Sequence, residues 1–344
     1  MKRTAKFAAA LVAGTMLLTA CSGETPAPTT PPTTTETASP SGNVVLYTSE
    51  PQAKIDEVIA AFNVHYPEVK VDVFRAGTGD LNARVESEIT AQGAPQADIF
   101  LAADVPTFEG YVKRDLFLKY VPTDADKLIQ DILDPEGFYV GTRIIPTVIA
   151  YNTGVIKTPP TSWKELTDAQ YKDKLVMPNP DVSGAAAYNA AVWLDDADLG
   201  INWLKALAAN KPVIADSNGP VSQAIASGAQ PVGIVVDYLV RDLAAKGSPI
   251  AVSYPSEGVP YVSQPAGIFA NTKVAELAKL FVDFLVSEEG QKIAVKQAYL
   301  PIRSDVGTPE GAPAMSDIKL MSPDQDRIAS IKKDAVAQFN ELFK

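Results

Sequence analysis

The chain is poor in the residues that most often carry metal or nucleophilic chemistry. Its 344 residues include one cysteine, Cys21, and one histidine, His65. No disulfide can form within the chain, and a thiolate metal cluster is excluded. The sequence also has no Gly-x-Ser-x-Gly motif and no His-rich metal motif, so we expect no enzymatic activity and no cofactor. A hydrolase that uses only carboxylates stays open as an alternative, although no carboxylate pair stands out.

Basic residues are outnumbered as well. The sequence has 30 Lys and Arg against 41 Asp and Glu, which gives a formal net charge of −11. Nucleic acids and anionic lipid surfaces bind clustered cations, so neither is an expected partner. The net charge does not exclude a small anionic ligand, because the local field of a pocket can oppose it.

The chain begins with an apolar run that is short for a membrane span. "FAAALVAGTMLLTA", residues 7–20, follows the basic residues Lys2, Arg3 and Lys6, and this arrangement is typical of a secretory signal. The next residue closes "LTAC", which is similar to a bacterial lipoprotein box. We expect residues 1–20 to be a signal peptide, and Cys21 to be lipidated and to anchor the exported protein to the outer face of the cell membrane. The alternative is a free cysteine beside an uncleaved helix.

Residues 21–42 predict a spacer. Pro and Thr dominate the segment and almost no side chain in it suits a core, which favours an extended, solvated chain. At about 3.1 Å per residue the spacer would reach roughly 50 to 60 Å from the lipid. A long tether favours a Gram-positive surface over a periplasm, and both stay open.

Strands alternate with helices from residue 43 onward. "NVVLYT", "VKVDVF" and "ADIFLAAD" read as strands. The helix after the first strand carries Ile55, Val58, Ile59 and Phe62 on one face, and the helix after the second should stop at Gly93. This alternation predicts a doubly wound α/β sheet with ligands at the carboxyl ends of its strands.

The later part of the chain predicts a second α/β lobe. "GTRIIPTVIAYNT" should carry the chain into it and "QPAGIFANT" should carry it back. We therefore predict a first lobe from residues 43–149 plus 272–344 and a second from residues 150–271, joined by two hinge crossings around a cleft. The carboxyl-terminal helices should pack on the first lobe, and hinge closure around a ligand is the expected motion.

Several stretches together point to a known family. "VVLYTSEP", "RAGTGDLNARVESE", "ADIFLAAD", "VIAYNT", "GIVVDYLVR" and "GIFANTKVAELAKLFVDFLVSEEGQKI" resemble, in this order, the extracellular solute-binding proteins of ABC importers. The resemblance is to the branch that holds ferric-iron, organophosphonate and sugar-phosphate binders. It implies a two-lobed periplasmic-binding-protein-like fold of type II, a monomer that binds a small-molecule solute, and a membrane permease with an attached ATPase as partners. A purely structural surface lipoprotein is the third class of function to be weighed.

The resemblance leaves two ligand classes open. Iron binders of the family typically place two adjacent tyrosines at the end of the strand that here reads "GIVVDYLVR", often with a histidine and a glutamate. This chain has Asp237-Tyr238-Leu239 there, and His65 lies where the first helix should end. A carboxylate beside a phenol suits a phosphonate that bears an amine, or a phosphorylated sugar or polyol. The alternative is ferric iron bound through a synergistic anion and held by Tyr238 with carboxylates such as Asp104, Asp237 or Glu257, since this ion prefers hard anionic oxygens.

The candidate ligand contacts lie at predicted strand ends and helix starts. Gly77, Thr78 and Gly79 precede a helix whose free N–H groups suit a phosphate, and residues 183–185 repeat that pattern in the second lobe. For Ser49, Ser183 and Asp237 an ordinary helix cap is the alternative role. The full candidate set is Ser49, Gly77, Thr78, Gly79, Asp104, Ser183, Gly184, Ala185, Ser217, Asn218, Asp237, Tyr238 and Glu257.

Overall fold

The computed structural model describes residues 39–344, which form one compact unit. The predicted signal peptide, Cys21 and the spacer up to residue 38 lie outside the described residues. Within residues 39–344 no helix is long and apolar enough to cross a membrane.

The unit is built from eleven strands and ten α-helices within the described part of the chain. The strands are β1 (Gly42–Thr48), β2 (Val69–Arg75), β3 (Ile99–Leu101), β4 (Tyr139–Gly141), β5 (Ile145–Asn152), β6 (Leu175–Pro178), β7 (Val213–Ala215), β8 (Val232–Val236), β9 (Ile250–Ser253), β10 (Tyr261–Val262) and β11 (Pro265–Ile268). The helices are α1 (Gln52–His65), α2 (Thr78–Gln92), α3 (Val105–Val112), α4 (Gly184–Asp195), α5 (Gly200–Ala209), α6 (Asn218–Ala226), α7 (Asp237–Ala245), α8 (Ala275–Val286), α9 (Glu288–Lys296) and α10 (Gln325–Phe343).

The strands form two sheets, one in each lobe. The first sheet has the order β2-β1-β3-β11-β4, with β1 parallel to β2 and β3, and β11 antiparallel to β3 and β4. The second has the order β10-β5-β8-β6-β7, and β9 also pairs with β5, at residues 149–152. Helices pack against both sheets, so the predicted two-lobed α/β fold with two crossings is confirmed.

The chain changes sheets earlier than the predicted lobe boundaries. It leaves the first sheet after β4 and enters the second at β5, so the first crossing is residues 142–144. It returns between β10 and β11, through residues 263–264. The predicted boundary at 149/150 falls inside β5, and the one at 271/272 falls after the end of β11. The two crossings are hydrogen-bonded to each other, with Thr142 N donating to Ser263 O at 3.0 Å.

The first two helices match their sequence patterns. Helix α1 buries Ile55, Val58 and Phe62 and ends at His65, and α2 is followed by Gly93 in the left-handed conformation, with a φ of 81°. Glycine adopts this conformation without the steric cost of a Cβ. The helix ends predicted from the sequence are therefore confirmed at both positions.

The carboxyl-terminal helices divide between the lobes. Helix α8 packs on α1, β1 and β11 of the first lobe, as expected. Helix α10 instead packs mainly against α4 of the second lobe, and it also contacts α3 of the first. The expectation that all the terminal helices pack on the first lobe is thus wrong for α10. The buried face of this helix includes Ile328 and Phe339.

Candidate functional site

A cavity lies between the two lobes, at the carboxyl ends of the strands. Its volume is about 590 Å³ and both lobes contribute to its wall. Ligand cavities of this size are common in small-molecule binders. Residues at the amino-terminal ends of five helices, α1, α2, α4, α6 and α7, line the wall.

The first lobe contributes two strand-to-helix turns. Ser49 and Glu50 follow β1, and Gly77 and Thr78 follow β2 at the start of α2. Neither Ser49 nor Thr78 uses its hydroxyl in a hydrogen bond with another described residue. Because the first N–H groups of a helix lack partners within the helix, the start of α2 offers hydrogen-bond donors to an anion.

The second lobe contributes the starts of α4 and α6. Ser183 caps α4 by accepting a hydrogen bond from Ala186 N at 3.2 Å, and Gly184 and Ala185 follow it on the cavity wall. Asn218 donates to Ser183 Oγ at 2.9 Å, and its Oδ1 accepts from Val236 N at 3.3 Å. Asn218 therefore ties the first turn of α4 to the end of β8, which keeps the cavity wall in place.

Some charged side chains on the wall have an ionic partner and others do not. Arg75 is the only basic residue among the described residues that line the cavity. The carboxylate of Glu50 is buried and paired, with Arg143 Nη1 at 3.2 Å. Asp80 and Asp216 are exposed on the wall, and neither accepts a hydrogen bond from another described residue. Among the described residues, the wall thus offers a ligand two free carboxylates and one guanidinium that pairs with no carboxylate, although its Nε donates to Glu50 O at 3.2 Å.

Tyr238 on the cavity wall and Tyr299 behind it are both held as neutral phenols. The rings of Tyr238 and Tyr299 lie 4.2 Å apart between centroids, and Lys54 Nζ lies 5.4 Å from the ring of Tyr238. Burial raises the pKa of Tyr238 and of Tyr299 well above the usual value, and the negative charge of Glu50 adds to this. At neutral pH the hydroxyl of Tyr238 is therefore a hydrogen-bond donor, which suits an oxyanion.

Glycines allow the two lobes to touch beside the cavity. A Cβ on Gly184 would lie 2.5 Å from Ala103 O and 2.8 Å from Thr78 Oγ1 of the opposite lobe. A Cβ on Gly79 would lie 2.0 Å from Asp181 O, and the N–H of Gly79 donates to Val182 O at 3.4 Å. Gly79, predicted as a ligand contact, thus lies at the contact between the lobes and not on the cavity wall.

Asp237 also lies off the wall. Its side chain is fully buried and accepts from Arg241 Nη1 at 2.6 Å and from Tyr254 OH at 3.3 Å. It occupies the first position of α7, so it faces the interior while the next residue, Tyr238, lines the cavity. Burial raises the pKa of Asp237, and the pairing with Arg241 opposes this shift.

The other two predicted carboxylates have partners elsewhere. Asp104 is buried beside Lys332 of α10, whose ammonium donates to it, and it also accepts from Thr107 Oγ1 at 2.5 Å. It stands before α3 but makes no side-chain cap, because its carboxylate is turned to these partners. Glu257 accepts from Ser162 Oγ at 2.5 Å, and it lines a different hollow of the second lobe.

The structure therefore brings together nine of the predicted contacts and leaves four outside the cavity. On the wall are Ser49, Gly77, Thr78, Ser183, Gly184, Ala185, Ser217, Asn218 and Tyr238. Outside it are Gly79, Asp104, Asp237 and Glu257. Of the residues named for the iron alternative only Tyr238 lines the cavity. Within residues 39–344 no group of three or more His, Cys, Asp or Glu side chains could hold a metal ion, and His65 pairs with Glu289 at 2.7 Å, far from the cavity wall.

Sequence reasoning missed Glu50, Arg75 and Gln264, which also line the wall. Arg75 opens the quoted stretch "RAGTGD" and Glu50 follows Ser49 directly, so both had a positional signal. Gln264 reaches the wall from the second crossing. Its neighbourhood carries no local motif, because it meets Glu50 only through the fold.

Comparisons with known proteins agree with this architecture. The family model described as "Bacterial extracellular solute-binding protein" matches residues 94–330. A putative 2-aminoethylphosphonate-binding periplasmic protein of Salmonella paratyphi A is 26% identical over 286 residues, which cover 76% of this chain and 79% of that protein.

Two solved structures share the fold. The periplasmic binding protein AfuA of Actinobacillus pleuropneumoniae, with exogenous fructose-6-phosphate bound, has a TM-score of 0.79 at 23% identity, covering 88% of this chain and 98% of that one. Iron-bound HitA of Pseudomonas aeruginosa has a TM-score of 0.76 at 21% identity, covering 88% and 99%. Since the family model spans more than half of its residues, the chain belongs to the family of bacterial extracellular solute-binding proteins.

Proposed function

We propose that the protein captures a small organophosphorus anion in the cavity between its lobes, as the binding component of an ABC importer. The observation that carries this proposal is the convergence of five helix amino termini and Arg75 on one cavity. Free N–H groups, helix dipoles and a guanidinium all favour a phosphonate or phosphate group. The neutral phenol of Tyr238 adds a further donor.

The free carboxylates define the other end of the ligand. Asp80 and Asp216 are exposed on the wall and accept no hydrogen bond from other described residues. A carboxylate favours an ammonium or hydroxyl donor over an apolar group. The ligand is therefore a phosphonate that bears an amine, or a phosphorylated sugar or polyol. The relative from Salmonella and the AfuA structure supply examples of both chemistries.

Ferric iron is less well supported by the same geometry. A ferric site needs several anionic oxygens at one point, whereas Asp104, Asp237 and Glu257 each have partners away from the cavity. Tyr238 and Tyr299 lie close together, but cationic Arg143 and Lys54 stand beside the Tyr299 ring, 4.6 and 5.1 Å from its centroid. These positive charges disfavour a trivalent cation.

The cellular arrangement follows from the family and from the amino-terminal sequence. We infer that the chain is exported, that Cys21 carries the lipid anchor, and that a permease with its ATPase receives the ligand from the closed lobes. Replacing Cys21 by serine should release the protein from the membrane fraction into the medium or periplasm. Retention of the Cys21→Ser protein on the membrane would overturn the lipid anchor and leave the ligand proposal untouched.

A thermal-shift screen tests the ligand class. Protein comprising residues 39–344 is unfolded, dialysed and refolded to remove carried ligand, and is then heated with 2-aminoethylphosphonate, fructose 6-phosphate, glycerol 3-phosphate or ferric citrate. A ligand at 100 times its dissociation constant stabilises by about 2.7 kcal/mol, which raises the melting temperature measurably. A rise with an organophosphorus compound supports the proposal, and a rise with ferric citrate alone contradicts it.

A further inference from the structure

Four buried side chains form a cluster at one side of the cavity, which we call the hinge cluster: Glu50 and Gln264 on the wall, and Arg143 and Tyr299 behind it. Glu50 is the shared partner. Its Oε1 accepts from Tyr299 OH at 2.6 Å and lies 3.2 Å from Arg143 Nη1, and its Oε2 accepts from Gln264 Nε2 at 2.8 Å. Each of these four residues is at most 3% exposed to solvent.

The partners of Glu50 come from the segments that join the lobes. Arg143 belongs to the first crossing, residues 142–144, and Gln264 to the second, residues 263–264. Tyr299 follows α9, and its neighbour Leu300 forms a β-bridge with Ile144 of the first crossing. One carboxylate of the first lobe therefore contacts both crossings and the segment that runs beside them.

The backbone of the second crossing is constrained where Glu50 holds it. Gln264 has a φ of 40°, which lies in the left-handed region that non-glycine residues avoid. Such a conformation persists only when the surroundings enforce it. Here the enforcing contacts are the bond from Gln264 to Glu50 and the bond from Thr142 Oγ1 to Gln264 O, at 2.7 Å.

The same glutamate belongs to the cavity. Glu50 lines the wall, and its backbone oxygen accepts a hydrogen bond from Arg75 Nε at 3.2 Å. Tyr299, which donates to its carboxylate, packs against Tyr238 of the second lobe, with the two rings tilted by 42°. Glu50 thus lies between the residues that face a ligand and the residues about which the lobes turn.

We propose that Glu50 is a positioning residue that fixes the angle between the lobes and transmits ligand binding to the hinge. Only the transmission of ligand binding to the hinge rests on the proposed function, and the effect of Glu50 on the lobe angle does not. The carboxylate holds both crossings and Tyr299 in one arrangement, so the ligand-free protein populates a narrow range of lobe angles. Without that carboxylate the three segments lose their common partner, and the angle between the lobes varies over a wider range.

The test measures the distance between the lobes directly. The only natural cysteine is Cys21, so residues 39–344 can be labelled with nitroxides at Val64→Cys in α1 and Val155→Cys after β5. Both valines are exposed, at 77% and 56%. Double electron–electron resonance on the ligand-free protein should give a narrow distance distribution with Glu50, and a broader one with a shifted mean in Glu50→Gln. Equal distributions would overturn the proposal.

Two further variants guard against a trivial result. If Glu50→Gln fails to fold because Arg143 is left buried without its partner, the double variant Glu50→Gln/Arg143→Met removes both charges and should still give the broad distribution. A narrow distribution in that folded double variant would overturn the proposal too.

Glu88→Gln is the matched control. Glu88 is also a buried carboxylate of the first lobe, and it accepts a hydrogen bond from Tyr47 OH at 2.6 Å, away from the crossings. It should leave the distribution narrow.

Addition of 2-aminoethylphosphonate separates this inference from the ligand proposal. If the compound binds, Glu50→Gln should weaken it about tenfold, because only a fraction of the molecules then has the competent lobe angle. If the compound does not bind and the ligand-free distribution still broadens, the hinge role stands and the ligand assignment fails. If affinity and distribution are both unchanged in Glu50→Gln, the hinge role fails and the ligand assignment stands.

Discussion

Asp237 accepts a 2.6 Å hydrogen bond from Arg241 one turn further along α7, and its side chain is fully buried. The adjacent Tyr238 lines the cavity between the lobes. Two neighbouring residues at the end of one strand therefore have different roles: Asp237 anchors a buried arginine, and Tyr238 faces the ligand. Arg241 in turn donates to Ala298 O at 2.7 Å, so the pair also links α7 to the segment after α9.

Asp237→Asn should destabilise the protein without abolishing ligand binding. The change leaves Arg241 buried without a charged partner, and breaking a buried pair typically costs about 3–5 kcal/mol.

Tyr238→Phe should weaken ligand binding and leave the stability of the protein nearly unchanged. Loss of one hydrogen bond weakens binding by roughly 2- to 10-fold, while the ring stays packed on Tyr299. Thermal melts and calorimetric titrations of both variants check this. A large loss of affinity in folded Asp237→Asn would restore Asp237 to the site.

Arg75→Ala should weaken binding of an organophosphorus anion by roughly 10- to 100-fold, because a charge-assisted hydrogen bond contributes about 1.5–3 kcal/mol. The melting temperature of the ligand-free protein should change little, since Arg75 is exposed. Arg114→Ala is the matched control: this arginine pairs with Glu86 away from the cavity, at 2.5 Å. Equal affinities in the two variants would place the anion elsewhere.

Gly184→Ala should hinder closure of the lobes. The added Cβ would lie 2.5 Å from Ala103 O and 2.8 Å from Thr78 Oγ1, both in the opposite lobe. We expect weaker ligand binding although alanine favours the helix by up to about 1 kcal/mol. Gly110→Ala in α3 is the control, because a Cβ there meets nothing within 4 Å. Unchanged binding by Gly184→Ala, measured by calorimetry, would show that this interlobe contact is dispensable.

Glu257→Gln should remove an acid-sensitive contribution to stability and leave ligand binding unchanged. Burial favours the neutral acid, but hydrogen bonds from Ser162 and from backbone N–H groups outweigh it and hold the pKa of Glu257 below its ordinary value. The stabilisation is therefore present above the ordinary pKa of about 4.3 and is lost as the pH falls through the lower folded-state pKa.

Thermal melts between neutral pH and about pH 3 give the readout for Glu257. The difference in melting temperature between the natural protein and Glu257→Gln should shrink as the pH falls through this range. Glu310→Gln, at an exposed position, should show little difference at either end. A difference for Glu257 that grows on acidification would contradict the assignment.

The fold was more predictable than the site. Alternation of strands and helices, the buried face of α1 and the stop at Gly93 are local patterns, and the structure confirms them. The predicted lobe boundaries differ from the points where the chain changes sheets, because "VIAYNT" belongs to β5 and "GIFANT" begins at the end of β11. The crossings themselves are too short to show a pattern. Helix α10 carries an amphipathic pattern that does not say which lobe it covers.

Site residues at helix starts were predicted because their chemistry is local. Gly77, Thr78 and Ser183 are such residues, and all three line the cavity. The carboxylates were harder, since whether Asp104 or Asp237 is free depends on Lys332 and Arg241. The partner of Asp104 lies 228 residues away in sequence, and no local sequence pattern predicts it.

Calorimetric titration of refolded residues 39–344 with 2-aminoethylphosphonate, fructose 6-phosphate and ferric citrate tests the central claim most directly. We predict one-to-one binding of at least one organophosphorus compound, weakened in Arg75→Ala and retained in Arg114→Ala. Binding of ferric iron with no heat from either organophosphorus compound would contradict the account.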